Sequence, residues 1–121
     1  MINYKLSFIE SPSEIEINLN SSKSESNRLL IIKSLSDNQI ELENLSHAND
    51  TVLLKNLIKS NSQNIWDAED AGTTMRFLTS FLAITKQGVL LTGTERMKKR
   101  PIKILVDALN KIGAEISYTE K

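Results

Sequence analysis

Apolar and polar residues alternate through Ile2, Tyr4, Leu6 and Phe8, and again through Ile15, Ile17 and Leu19, with Ser11-Pro12-Ser13 between the two runs. A period of two puts every second side chain on one face, so the pattern predicts two half-buried strands joined by a turn. The period then changes. Leu29-Leu30-Ile31-Ile32 is continuous, and behind the serine-rich segment 21–27 it predicts a helix buried on most sides, running to about Ser36. Ser22 and Glu25 stand at capping-box spacing at its start. Asp37-Asn38 turns the chain into a third alternating strand over residues 40–45.

A second helix is predicted from about Asn49 to Lys59, with Leu54, Leu57 and Ile58 on its apolar face. A polar loop over residues 60–64 leads to Ile65-Trp66, read as a strand remnant in which the indole serves packing rather than ligand stacking. Gly72 opens a third helix that runs to about Thr85, and residues 89–92 form a strand. A basic loop follows, Arg96-Met97-Lys98-Lys99-Arg100-Pro101. Pro101 suits a first helical turn, and Ile102, Leu105, Val106, Leu109 and Ile112 keep helical spacing until Gly113 ends it. Residues 114–118 alternate once more as a final strand.

Strands interleaved with helices indicate an α/β (α+β) class. The chain also resembles itself. Arg28 and Arg76 stand 48 residues apart, and the same offset pairs Leu30 with Leu78, Gln39 with Gln87, Leu42 with Leu90, Leu54 with Ile102, Lys55 with Lys103, Leu57 with Leu105 and Ile58 with Val106. Identical gaps across two helices and a strand make chance matching of common residues the weaker reading. Two copies of one unit would set two helix starts, each followed by an arginine, in equivalent places.

Length and charge narrow the function. With 121 residues the chain is one domain by size, and 15 Lys+Arg against 15 Asp+Glu leave no net charge, unlike the basic excess of a typical nucleic-acid binder. Any anion site must be local. Cysteine is absent, which removes disulfides, thiolate nucleophiles and zinc-thiolate sites, and the one histidine, His47, cannot build a multi-histidine metal site. No apolar run approaches the ~20 residues of a membrane span, and the alternating start is not a signal peptide. The expectation is a cytoplasmic protein without metal or cofactor.

Asp70-Ala71-Gly72-Thr73-Thr74-Met75-Arg76 ahead of an apolar helix has the makings of an anion site. The first amides of a helix need acceptors, the dipole is positive there, and Gly72 admits an oxyanion close to the backbone. Arg76, one turn on, offers a planar fork for phosphate or carboxylate. The same residues also fit an ordinary helix start with a surface arginine. In the first helix, capping accounts for the serines but not for Lys23 and Arg28. A cation at a helix start opposes the dipole unless an anion lies between them.

Ser22-Lys23-Ser24-x-Ser26-Asn27-Arg28, Ala71-Gly72-Thr73-x-Met75-Arg76, Leu91-Thr92-Gly93-x-x-Arg96-Met97-Lys98-x-Arg100-Pro101-Ile102 and Leu105-Val106-Asp107-Ala108-Leu109 follow one another in this order. The ordered set resembles the N-terminal part of the EPSP synthase (3-phosphoshikimate 1-carboxyvinyltransferase) family. That resemblance implies repeated βαβαββ units in two domains, with shikimate 3-phosphate and phosphoenolpyruvate bound between them. Residues 21–121 would then be a partial substrate-binding domain of two units, about 21–66 and 67–121. Residues 1–20 would belong to the opposing domain, and the chain would be a fragment lacking the C-terminal remainder of the enzyme. By motif, Lys23, Ser24 and Arg28 would hold shikimate 3-phosphate. Lys23, Gly72 and Arg100, with Asp70 and Thr73 beside them, would hold phosphoenolpyruvate. No catalytic acid or base is expected on this chain, and isolated it should be inactive.

Two departures stand out from that pattern. Asp70 stands where the family commonly has Asn, and a carboxylate there repels an anionic substrate unless Lys23 or Arg100 pairs with it. The segment before Trp66 is short, so the last strands of the first unit should be reduced. The sibling transferases that act on a UDP-N-acetylglucosamine substrate share the fold but commonly carry a loop cysteine. An RNA-binding βαβαββ module is the reading from another class, disfavoured by zero net charge and by aromatics that do not interleave with the basic loop. Small-molecule substrates, with neither nucleic acid nor membrane, are the expected partners.

Overall fold

The computed structural model describes residues 3–8, 14, 16–60, 63–85 and 88–119. Its elements in order are α1 (Lys23–Leu35), α2 (Asn49–Lys59), β1 (Ile65–Asp67), α3 (Gly72–Thr85), β2 (Leu90–Thr92), α4 (Glu95–Lys98) and α5 (Lys103–Lys111). The class is mixed helix and strand with a small parallel sheet. β1 and β2 pair in parallel, Ile65 opposite Leu90, Trp66 opposite Leu91 and Asp67 opposite Thr92. Bonds from the Leu90 amide to the Asn64 carbonyl and from the Ala68 amide to the Thr92 carbonyl, both 2.8 Å, extend the pairing at each end. Parallel neighbours need a crossover, and α3 supplies it.

The core gathers Leu30 of α1, Leu54 and Leu57 of α2, Trp66 of β1, and Leu78, Phe81 and Leu82 of α3. Trp66 is buried and its indole N–H donates to the Gln63 carbonyl at 2.9 Å, so the side chain packs. The Ser22 hydroxyl accepts the Glu25 amide at 3.3 Å, as the capping spacing predicts. α1 is not buried on most sides. Four successive apolar residues, about 100° apart, point all round a helix, but among the described elements α1 packs mainly against α2 and α3. Leu30 is therefore buried while Leu29, Ile32 and Leu35 stay exposed.

Several predicted strands lack ladders. Among the described residues, 3–8, 16–19, 40–45 and 114–118 carry no strand pairing; Ile2, Ile15 and the 11–13 turn lie outside the described residues. Alternation marks a face, but a strand also needs a neighbour's backbone, and the described chain offers these segments none. Tyr4, Leu6, Phe8, Ile17 and Leu19 are accordingly exposed. Asn44, at φ 50°, also bends the 40–45 segment away from extension. Beyond α5, the Asn110 amide takes the place of a neighbouring strand. It donates to the Ile116 carbonyl and accepts the Ile116 amide, both at 2.9 Å.

The basic loop is partly helical, because Thr94 caps the single turn α4. Pro101 lies ahead of α5 rather than in its first turn, with Ile102 at the N-cap. Gly113 ends α5 at φ 102°, a conformation that favours glycine. The Asp107 carboxylate accepts from Lys103 at 2.5 Å, and this bond, then the Asp107 charge, raises the Lys103 pKa. No helix among the described residues is long and apolar enough to cross a membrane.

Leu78 is fully buried at the centre of this core, whereas Ile84 on the same helix is exposed. Leu78→Ala should cost about 2–5 kcal/mol in urea unfolding and Ile84→Ala less than about 0.5 kcal/mol.

Candidate functional site

Three helix starts meet at Asp50. Its position in the first turn of α2 suits an acid electrostatically. Its carboxylate takes the Lys23 ammonium from the start of α1 at 3.2 Å. Its carbonyl accepts the hydroxyl of Thr74, in the first turn of α3, at 3.1 Å. Ser26 adds a second tie between α1 and the approach to α2, because its buried hydroxyl accepts the Ser46 amide at 2.9 Å. The Ser46 hydroxyl in turn accepts the Ala48 amide at 3.2 Å.

At the start of α3, the Ala71 carbonyl accepts the Met75 amide at 2.9 Å, which makes Ala71 the cap residue. Alanine has no side-chain acceptor. Among the described residues, no acceptor is found for the amides of Gly72, Thr73 and Thr74. Arg100 lies against this turn. A Cβ on Gly72 would collide with its Nη1 and stand 2.9 Å from its Cζ. The absence of a side chain at Gly72 therefore first admits the Arg100 guanidinium, which joins the open amides in a compact positive cradle. Thr73 is half-buried beside it.

Arg76 is engaged by backbone carbonyls. Its guanidinium donates to the Gly72 carbonyl at 3.1 Å and to the Pro101 carbonyl at 2.9 Å. Each of its terminal nitrogens gives one donor to a carbonyl, and it clamps α3 to the residue that follows Arg100. Arg28 differs from Arg76 in its contacts. It donates to the Ser24 carbonyl at 2.9 Å and to the Ser24 hydroxyl, and its guanidinium stands 5.7 Å above the Phe77 ring of α3. Ser24 and Arg28 thus form one exposed group on α1, steered towards α3 by Phe77.

Among the described residues Asp70 pairs with neither Lys23 nor Arg100, the two cations that could have neutralised it. Lys23 is held by Asp50, and the partner of Asp70 is the Thr94 hydroxyl at 2.5 Å. Of the residues singled out by sequence, the structure joins Ser24 to Arg28, and Gly72 to Arg100. Among the described residues it links Lys23 to α3 through Asp50. Asp50 and Thr94 escaped the sequence reading, and Thr74, named there within the 70–76 motif, turns its hydroxyl to Asp50. An acid in a first turn and a threonine three residues before Met97 were legible as capping signals, but their long-range partners were not.

The family model for EPSP synthase (3-phosphoshikimate 1-carboxyvinyltransferase) matches residues 54–121. A 3-phosphoshikimate 1-carboxyvinyltransferase of Bacteroides fragilis (strain YCH46) is 49% identical over 113 residues, covering 91% of this chain. Similar proteins of the same name occur in Actinobacillus pleuropneumoniae serotype 3, 37% identical over 135 residues and 88% of this chain, and in Buchnera aphidicola subsp. Cinara cedri, 36% identical over 131 residues and 88% of this chain. The chain spans only 27%, 31% and 30% of these three relatives, respectively. No solved structure matches it.

Thr74 is fully buried and its hydroxyl is the tie from α3 to Asp50. Thr74→Val keeps the shape and removes the donor, so denaturant unfolding should show a loss of about 1–2 kcal/mol, against less than about 0.5 kcal/mol for Thr73→Val.

Proposed function

Because the chain belongs to the EPSP synthase family, we propose that it supplies one wall of a site that transfers the enolpyruvyl group of phosphoenolpyruvate to the 5-hydroxyl of shikimate 3-phosphate, releasing phosphate. The observation that carries this reading is the uncapped start of α3, with Arg100 seated on Gly72. Lys23, Ser24 and Arg28 would hold shikimate 3-phosphate. Gly72, Thr73 and Arg100 would hold phosphoenolpyruvate, with Lys23 shared and Asp70 at the edge. Two repeated units, about 21–66 and 67–121, would form this wall, and residues 1–20 would join the opposing domain. The cytoplasm is the proposed location.

The transfer needs a proton delivered to the methylene carbon of phosphoenolpyruvate, a base at the attacking hydroxyl, and cations around the phosphate as it leaves a tetrahedral intermediate. This chain offers cations and backbone amides, which bind and orient anions. A wall open to water screens them, and an opposing surface that excludes water would strengthen every contact. The relatives named above carry the shikimate activity in their names, which favours this reading over UDP-sugar transfer and over an RNA-binding module.

The test is a chimera in which this chain replaces the matched segment of the Bacteroides fragilis enzyme. It should release phosphate from phosphoenolpyruvate only when shikimate 3-phosphate is present, and the 121-residue chain alone should not. In the chimera, Gly72→Ala should displace Arg100, a movable side-chain end, and raise the KM for phosphoenolpyruvate more than about tenfold with the fold retained. An inactive but folded chimera, or an unchanged KM, would count against the proposal.

A further inference from the structure

We propose that Thr94 is a positioning residue: its hydroxyl holds the Asp70 carboxylate off the anion cradle and, through α4, ties the start of α3 to the loop that carries Arg100. The cradle itself rests on the enolpyruvyl-transfer reading above. Every polar group of Thr94 is used. Its amide donates to the Glu69 carbonyl at 3.2 Å, and its own carbonyl accepts the Lys98 amide at 3.0 Å. Its hydroxyl oxygen accepts the Met97 amide at 3.3 Å. A hydroxyl has one proton, and with Met97 donating to the oxygen, that proton goes to Asp70 Oδ1 at 2.5 Å. The Met97 carbonyl then accepts the Arg100 amide at 2.9 Å. A continuous path of bonds runs from Asp70 to the backbone of Arg100.

The two loops are built to meet. Asp67 Oδ1 accepts the Glu69 amide at 2.8 Å, and Glu69 adopts φ 48°, which turns its carbonyl towards Thr94. A Cβ on Gly93 would stand 2.7 Å from that carbonyl and 2.7 Å from Met97 Cγ, so the approach requires glycine at 93. Asp70 comes two residues before Gly72, whose turn carries the open amides of Gly72, Thr73 and Thr74 and lies against Arg100. A carboxylate released there has the same donors available as a phosphate and competes for them. Donation from Thr94 satisfies it elsewhere and leaves the cradle open.

The experiment titrates inorganic phosphate into the 15N-labelled chain and follows the Gly72 and Thr73 amides in wild type, Thr94→Ser, Thr94→Val, Asp70→Asn and the double variant Thr94→Val/Asp70→Asn. Thr94→Ser should bind within about twofold of wild type and Thr94→Val about tenfold more weakly. The double variant should recover to within about threefold of Asp70→Asn, because an uncharged side chain no longer competes as an anion. A purely structural loss of the loop tie would not be rescued by Asp70→Asn. Wild-type affinity in Thr94→Val, or a double variant as weak as Thr94→Val, would overturn the proposal. Absence of phosphate shifts in wild type would defeat both the cradle and the competition that Thr94 is proposed to prevent. Unaltered hydrogen exchange of the Met97 amide in Thr94→Val, by contrast, would defeat the Thr94 tie alone.

Discussion

The geometry of the site depends on Asp50, whose carboxylate holds Lys23 of α1 and whose carbonyl holds Thr74 of α3. One residue in the first turn of α2 thereby fixes three helix starts against one another. The ion pair is partly exposed, so its charge attraction contributes little to stability. The buried hydroxyl of Thr74 matters more, because losing a partner inside a packed interface costs the full desolvation of the group left behind. Lys23 against the dipole of its own helix is tolerable here because the Asp50 carboxylate neutralises it.

The start of α3 is built differently from the start of α1. Ser22 caps α1, whereas Ala71 leaves the first amides of α3 without a side-chain acceptor. Arg100 is brought onto that open turn by two constraints: the bare Cα of Gly72 and the clamp of Arg76 on the carbonyls of Gly72 and Pro101. Positive charge collects locally while the chain as a whole stays neutral. Such a turn is suited to bind an anion without long-range steering.

Helices were legible wherever apolar spacing coincided with a cap or a terminating residue: α1 behind Ser22, α3 from Gly72, α5 up to Gly113. Strands were legible only as faces. β1 and β2 formed ladders because α3 brings them side by side, while the stronger alternation of Tyr4, Leu6 and Phe8 found no partner within the described chain. Gly72 could be named from its place at a helix start and Arg100 from the family resemblance, but their contact across the chain could not. Arg76 shows the limit most clearly. An arginine one turn into a helix with an open start reads as an anion ligand, yet two carbonyls, one of them 25 residues away in sequence, take a donor from each of its terminal nitrogens. Asp70 likewise found its partner in Thr94, at a separation of 24 residues, where no local pattern points.

The most direct measurement is a crystal structure of the chain grown in sulfate. A sulfate bonded to the Gly72 and Thr73 amides and to the Arg100 guanidinium, with Lys23 still on Asp50 and Arg76 still on its two carbonyls, is the predicted result. Bare amides at the start of α3, with Arg100 turned away and sulfate bound elsewhere on the surface, would contradict it.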